Sequence, residues 1–412
     1  MPDEVIDTLV IGGGQAGLTM SHRLKQRGIA HLVLERSRIA ERWRSERWDG
    51  LAFQFPNWSI KLPEFPFPHR DPDGFATTQQ ITAFIDAYAA FVAPPVRCGV
   101  AVTKLRRGDD ARFIAETTDG AIEADNVVIA TGPYQRALMP DLLRDHAIFQ
   151  LHASRYQNPQ QLPDGAVLVV GAGASGAQIA EELSRAGRDV YLSVGRHTRL
   201  PRRYRGRDLM WWFDALGYLR RTPEERGPPR PYPTISGAYG GHTIDLRRFA
   251  TDGIVLLGRL QSVDQGIAHF AGDLAEQLAY GDAAYAEFLG FADEYVQQHG
   301  LELPPDPAAR EKLPDPVCVS EPLQQLDLAA AGINSVIWAT GYGVDFGWID
   351  LPVLDGRGEP MHHRGVTEMP GMYFLGLPWM VTVNSSFLAG VGDDAAALAA
   401  HIAERFVKPG RP

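Results

Sequence analysis

The 412-residue sequence predicts an α/β fold of two Rossmann-like dinucleotide-binding domains, one inserted into the other. Three observations carry that prediction. Two glycine-rich fingerprints, Gly12-Gly13-Gly14-Gln15-Ala16-Gly17 and Gly171-Ala172-Gly173-Ala174-Ser175-Gly176, each follow a short apolar run. Each is matched downstream by an apolar strand ending in Ala-Thr-Gly, at Ala130-Thr131-Gly132 and again at Ala339-Thr340-Gly341. A stretch rich in proline, asparagine and glutamine, residues 157–165, stands between the first pair and the second fingerprint as a linker.

Residues 5–11 read as a buried strand, 18–27 as a helix and 30–34 as a second strand ending in Glu35, a complete strand-helix-strand unit. In such a unit the first glycine makes the tight turn and the second lets backbone approach a pyrophosphate. The third lets helix pack on strand, with phosphate at the helix N-terminus. Glu35, with Arg36 beside it, falls about 20 residues beyond the glycines, where an acid accepts hydrogen bonds from an adenosine ribose. Two such nucleotide sites in one chain imply electron transfer between two cofactors.

The second unit differs where it matters for selectivity. Its strand at 190–194 ends without an acid, and Arg196, Arg199, Arg202 and Arg203 follow. That exchange favours a 2'-phosphate and hence NADPH, a solvated basic loop being the alternative. Residues 222–233 hold five prolines and read as a surface excursion, 274–300 have helical periodicity, and 304–316 form another linker-like run. From about 323 the chain returns to the first domain, ending in a strand at 371–376 and a helix from about 393 to 406. The domains expected are therefore 1–156, 157–322 and the return segment 323–412. The last helix opens with Gly390-Val391-Gly392-Asp393-Asp394-Ala395, so Asp393 either caps it or meets a ligand at its positive end.

Composition narrows the partners. A net charge of -10 argues against nucleic acid. Acids at positions 3 and 4 and the lack of an apolar run of about 18 residues point to a cytoplasmic protein without a membrane span. Cys98 and Cys318 are too far apart in sequence for a Cys-x-x-Cys redox pair, and the twelve histidines lack ligand spacing, so no metal site is expected.

These residues resemble the flavin-containing monooxygenase family, particularly bacterial flavoproteins related to the plant auxin-forming flavin monooxygenases. The resemblance rests on the paired fingerprints, Trp43, Leu62-Pro63-Glu64-Phe65-Pro66-Phe67-Pro68, both Ala-Thr-Gly segments with Tyr342, and the terminal Gly-Val-Gly-Asp-Asp-Ala. Phe149-Gln150-Leu151-His152-Ala153-Ser154-Arg155-Tyr156 keeps the His-x-x-x-Tyr part of the family's linker signature. It departs upstream, where His146 and Ile148 replace phenylalanine and glycine. Tyr156 in place of tryptophan looks less like a Baeyer-Villiger oxygenase.

The resemblance implies FAD in the first domain and NADPH in the second. It also implies a peroxyflavin that oxygenates a small soft nucleophile bearing sulfur, nitrogen or a carbonyl. A reductase or oxidase passing electrons to another acceptor is the alternative. Catalytic candidates are Asn57, near the family's asparagine, together with His152 and Tyr156. For Asn57 a turn-forming role stands beside the catalytic one, and for His152 a backbone hydrogen bond in the linker does. Aromatic lining is expected from Trp43, Trp48, Phe53, Phe55 and Trp58, and from Trp211, Trp212 and Phe213. Substrate identity is open, as is assembly, a homodimer included.

Overall fold

The computed structural model describes residues 4–144 and 146–407; Asp3, one of the two acids in the reading above, lies outside it. Its first sheet runs in the order Val96–Cys98, His31–Glu35, Glu4–Ile11, Gly120–Ile129, Phe113–Thr117, Val102–Arg107, and Met372–Phe374 also pairs with Gly120–Ile129. The strands nearest the first fingerprint are parallel, with Leu9 level with Leu32 and with Val127. Parallel strands have both faces covered, which is why Leu9, Val10 and Ile11 are all buried.

Alternation along those strands builds two cores. Val10, Val33 and Val128 face Leu18, Met20 and Leu24 of helix Gln15–Gln26 and Leu398, Ala399 and Ile402 of helix Val391–Val407. Their neighbours Leu9, Leu32, Leu34, Val127 and Ile129 point the other way and pack with Phe113, Met372 and Phe374. Helix Gln15–Gln26 starts three residues before the predicted 18, because Gly14 is its extended N-cap and the turn runs directly into the helix. Helix Val391–Val407 likewise starts slightly earlier than predicted, whereas Leu274–His299 spans nearly the whole periodic stretch.

The second sheet has the order Phe149–His152, Ile333–Trp338, Ala166–Val170, Val190–Ser193, Val255–Leu257, parallel throughout. Strand pairing runs across the expected boundaries at 156/157 and 322/323. Phe149–His152 enters this second sheet before the linker, and Ile333–Trp338 lies within it, between Phe149–His152 and Ala166–Val170. The linker's composition marks a loop inside the unit, not its edge, because a parallel ladder needs strands brought in from both flanking crossovers.

A short antiparallel ribbon, Arg136–Ala137 with Tyr342–Gly343, ties the segments that follow the two Ala-Thr-Gly ends. Thr340 Oγ1 donates to the Leu138 carbonyl beside it. Among the described residues, no helix is long and apolar enough to cross a membrane.

Candidate cofactor and active site

The two fingerprints have the same geometry. Gly12 has φ +116°, and a Cβ there would stand 2.5 Å from the Ala130 carbonyl oxygen. Gly171 has φ +106°, and its Cβ would stand 2.6 Å from the Ala339 oxygen. Only glycine meets both the left-handed backbone and this approach. Each Ala-Thr-Gly alanine in turn donates to the last residue of the fingerprint strand, Ala130 N to Ile11 O at 2.8 Å and Ala339 N to Val170 O at 2.9 Å.

The third glycines are equally constrained, since a Cβ on Gly17 or Gly176 would lie 1.8 Å from the oxygen of Gly12 or Gly171. The N-cap glycines are the opposite case. A Cβ on Gly14 or Gly173 would meet nothing within 4 Å, so both helices present an open backbone N-terminus. Such a cradle fits a pyrophosphate, and its duplication fits two dinucleotides. Gln15, Ala16, Ala174 and Ser175 occupy the first turns of these helices.

Glu35 completes the first cradle. Its Oε2 accepts from Gly13 N at 2.7 Å and its Oε1 from Ser37 N at 2.9 Å, which fixes the carboxylate and leaves lone pairs for ribose hydroxyls. Gly13 is needed for this, because a Cβ there would lie 2.8 Å from that of Glu35. Arg36 is exposed beside it.

The arginine run divides into two kinds. Arg199 pairs with Asp245 and Asp282, and Arg202 with Asp208, so these two are consumed inside the protein. Arg203 donates to the backbone carbonyls of Gly241 and Gly240. Arg196 is exposed just past strand Val190–Ser193, with its guanidinium 5.5 Å from the Tyr280 ring. The sequence signal for the buried pairs was present in Asp208 and Asp245, but spacing alone does not say which arginines turn inward.

Trp43 packs against the cores of both units and begins a chain of half-buried aromatics: Trp43 to Phe53 at 5.8 Å, Phe53 to Phe55 at 5.6 Å and Phe55 to Phe387 at 5.2 Å between centroids. Gln15 reaches the same region, donating from Nε2 to the Ser386 carbonyl at 2.8 Å. Other predicted lining residues lie elsewhere. Trp48 is buried in the core of the second sheet, Trp212 and Phe213 are buried in a third core that Trp211 packs against, and Trp58 is exposed.

His152 is buried at the end of its strand in the second sheet and holds the loop that follows the neighbouring strand Ile333–Trp338. Its Nδ1 accepts from Ser154 N at 3.1 Å, so Nε2 carries the proton and donates to the Gly341 carbonyl at 3.0 Å. Burial lowers its pKa, in keeping with that neutral tautomer. Tyr156 is wholly buried beside Glu182, and burial pushes both the phenol and the carboxyl up. Asn57 donates from Nδ2 to the Asp71 carbonyl at 2.9 Å, inside the loop that precedes residue 74.

At the start of helix Val391–Val407, Asp393 is exposed and its neighbour Asp394 is buried. Burial raises Asp394 to about 6, while a hydrogen bond from Ser385 opposes the shift. Sequence reasoning missed Gln135, whose amide donates to Thr131 Oγ1 at 3.0 Å and the Gly132 carbonyl at 2.7 Å while its oxygen accepts from Asp345 N. A lone glutamine in a loop carries no periodic signal that could have found it. Cys98 and Cys318 are both free thiols.

The pyridine nucleotide-disulphide oxidoreductase family matches residues 9–206. The chain is 34% identical over 400 residues to the uncharacterized oxidoreductase CzcO-like of Geobacillus kaustophilus, covering 96% of this chain and 97% of that one. It is 32% identical over 227 residues to indole-3-pyruvate monooxygenase YUCCA1 of Oryza sativa subsp. japonica, 52% of this chain and 54% of that one. In fold it is similar to a flavin-containing monooxygenase from Stenotrophomonas maltophilia, with a TM-score of 0.67, 18% identity and coverage of 98% and 99%.

Proposed function

This chain belongs to the flavin-containing monooxygenase family, and on that premise we propose that it uses NADPH and O2 to oxygenate a small soft nucleophile bearing sulfur, nitrogen or a carbonyl. It is an FAD-dependent oxidoreductase with NADPH as reductant. The observation that carries the reading is the pair of open cradles at Gly14 and Gly173.

In this reading Gly12, Gly14, Gln15 and Glu35 hold FAD, and Gly171, Gly173, Ser175 and Arg196 hold NADPH. When bound, FAD takes hydride from NADPH and activates dioxygen. The protein's share is placement and water exclusion. Phe53, Phe55 and Phe387 give an apolar wall where the oxygen must be transferred before it is lost to solvent. Gln135 ties the first Ala-Thr-Gly segment to Asp345, just beyond the second, and His152 holds the second segment's Gly341. His152 acts as a structural donor here, because both ring nitrogens are engaged within the protein. The bond from Asn57 to Asp71 supports a turn-holding role for that residue.

The deciding experiment follows oxygen. Purified yellow protein mixed with NADPH, 18O2 and a panel of thioethers, amines and 2-oxo acids is expected to place one labelled atom in a product. Stoichiometric hydrogen peroxide with no labelled product across the panel would overturn the proposal.

A further inference from the structure

We propose that Gly237 is a positioning residue for hydride transfer, setting how closely the unit that carries NADPH approaches segment 53–55 of the first unit; this rests on the FAD and NADPH reading and is independent of oxygen insertion. A Cβ at Gly237 would stand 2.0 Å from the Phe53 carbonyl oxygen and 2.9 Å from Cδ1 of Phe75. The backbone of Gly237, at φ −94° and ψ −11°, is open to most residues. Glycine is therefore required here by the chain across the interface and not by the turn.

Gly237 is tied to the second cradle. Thr234 Oγ1 donates to the Ala172 carbonyl inside the second fingerprint at 3.4 Å. Gln178, buried on the fingerprint helix Ala174–Arg185, donates from Nε2 to the Ile235 carbonyl at 2.9 Å. Ile235 bridges Thr243, whose Oγ1 accepts from Arg202 N at 2.9 Å, so residues 236–242 form a loop closed at both ends. Inside it Ser236 is wholly buried, and its Oγ accepts from Ala238 N at 3.0 Å.

Phe53 is tied to the first cradle. Its N donates to the Ala76 carbonyl at 2.7 Å, and Ala52 bridges Thr77, the N-cap of helix Thr78–Val92. The Phe53 ring meets Phe55, and Phe55 meets Phe387. Next to Phe387, the Ser386 carbonyl accepts from Nε2 of Gln15, the first residue of helix Gln15–Gln26. A continuous run of contacts thus joins Ala172 to Gln15 through the approach of Gly237 to Phe53. Hydride, a proton with its electron pair, leaves the coenzyme for the flavin only where the reacting atoms are held at about 3–3.5 Å, and a misplacement of about 1 Å by a distant change costs on the order of a hundredfold. Ordinary contact begins at 3.4 Å and the oxygen facing Gly237 belongs to tied backbone, so a methyl there moves one chain against the other by about 1 Å or more.

The test is anaerobic stopped-flow reduction of the yellow holoenzyme. In G237A the limiting rate of flavin reduction by NADPH is expected to fall at least about tenfold, with flavin content and the Kd for NADPH within about twofold of the parent. Reduction of the same variant by dithionite, which needs no second unit, is expected at the parent rate. Q178L, which removes the bond to the Ile235 carbonyl, keeps the test open where the methyl prevents folding, and is expected to lower the NADPH rate about threefold with the same controls held. An unchanged NADPH rate, or a loss shared by dithionite or matched by a weaker Kd for NADPH, would overturn the proposal, the latter two by reducing Gly237 to packing. A parent whose flavin is not bleached by NADPH would overturn the coenzyme reading and this one with it, whereas a missing 18O label with reduction intact would count against oxygenation alone.

Discussion

The Arg202 guanidinium, carried by the second unit, donates to the Gln54 carbonyl of the first at 2.6 Å. The same group pairs bidentately with Asp208 at 2.6 and 3.0 Å and lies 4.8 Å from the Phe75 ring. Gln54 sits between Phe53 and Phe55, so this buried ion pair fixes the backbone that carries both rings of the aromatic chain.

Replacing Arg202 with methionine leaves Asp208 buried without its cation, a change that typically costs about 3–5 kcal/mol. R202M is expected to lower the urea midpoint by a corresponding amount and to leave the ratio of KM values for NADPH and NADH unchanged. A selective loss of NADPH would instead return Arg202 to the phosphate site.

The glycines of each fingerprint separate folding from cofactor binding. G17A puts a methyl 1.8 Å from a carbonyl oxygen between helix and strand, where neither can withdraw, and is expected to yield little folded protein. G14A places its methyl in open space, so the protein should fold with a normal melting temperature yet bind FAD at least about tenfold more weakly, some 1.4 kcal/mol. Flavin content after purification and calorimetry of both variants check this pair. G14A emerging fully yellow would contradict the cradle.

Much of this was legible in the sequence because glycine and periodicity report backbone needs directly. The fingerprints, both Ala-Thr-Gly ends and the long helix at Leu274–His299 lie where the pattern put them. The unit boundaries were not legible, since sheet membership of Phe149–His152 and Ile333–Trp338 is decided by non-local pairing. The direction taken by charged side chains was also hidden. Arg199 and Arg202 read as equivalent to Arg196 until their partners Asp245 and Asp208 are placed. The same holds for Asp393 and Asp394, adjacent acids of which only the second is buried, because helix rotation and not residue type separates them.

Arg196 is exposed just beyond strand Val190–Ser193, where the proposed reading puts the coenzyme's 2'-phosphate. R196E is expected to raise the KM for NADPH by about tenfold or more while that for NADH changes little, because only the former brings an extra dianion to this strand end. Steady-state kinetics with both coenzymes decide it, and equal effects on the two would remove the assignment.

Asp394 contributes a pH-dependent term of definite sign to stability. Its folded-state value, raised by burial to about 6, stands above the 3.8 of the unfolded chain, so the native state holds an extra proton between those values. The contribution of Asp394 to stability therefore falls as pH rises from about 4 to about 6 and is level above it. The total is about 3 kcal/mol for a shift of roughly two units. Asparagine at this position keeps the acceptor for the Ser385 hydroxyl but cannot ionise. D394N should flatten that part of the profile and melt at a higher temperature than the parent above pH 6, and scanning calorimetry of the holoprotein at half-unit steps measures both. An unchanged slope in D394N would show that Asp394 ionises without penalty, and that the Ser385 hydroxyl and the helix N-terminus together offset its burial.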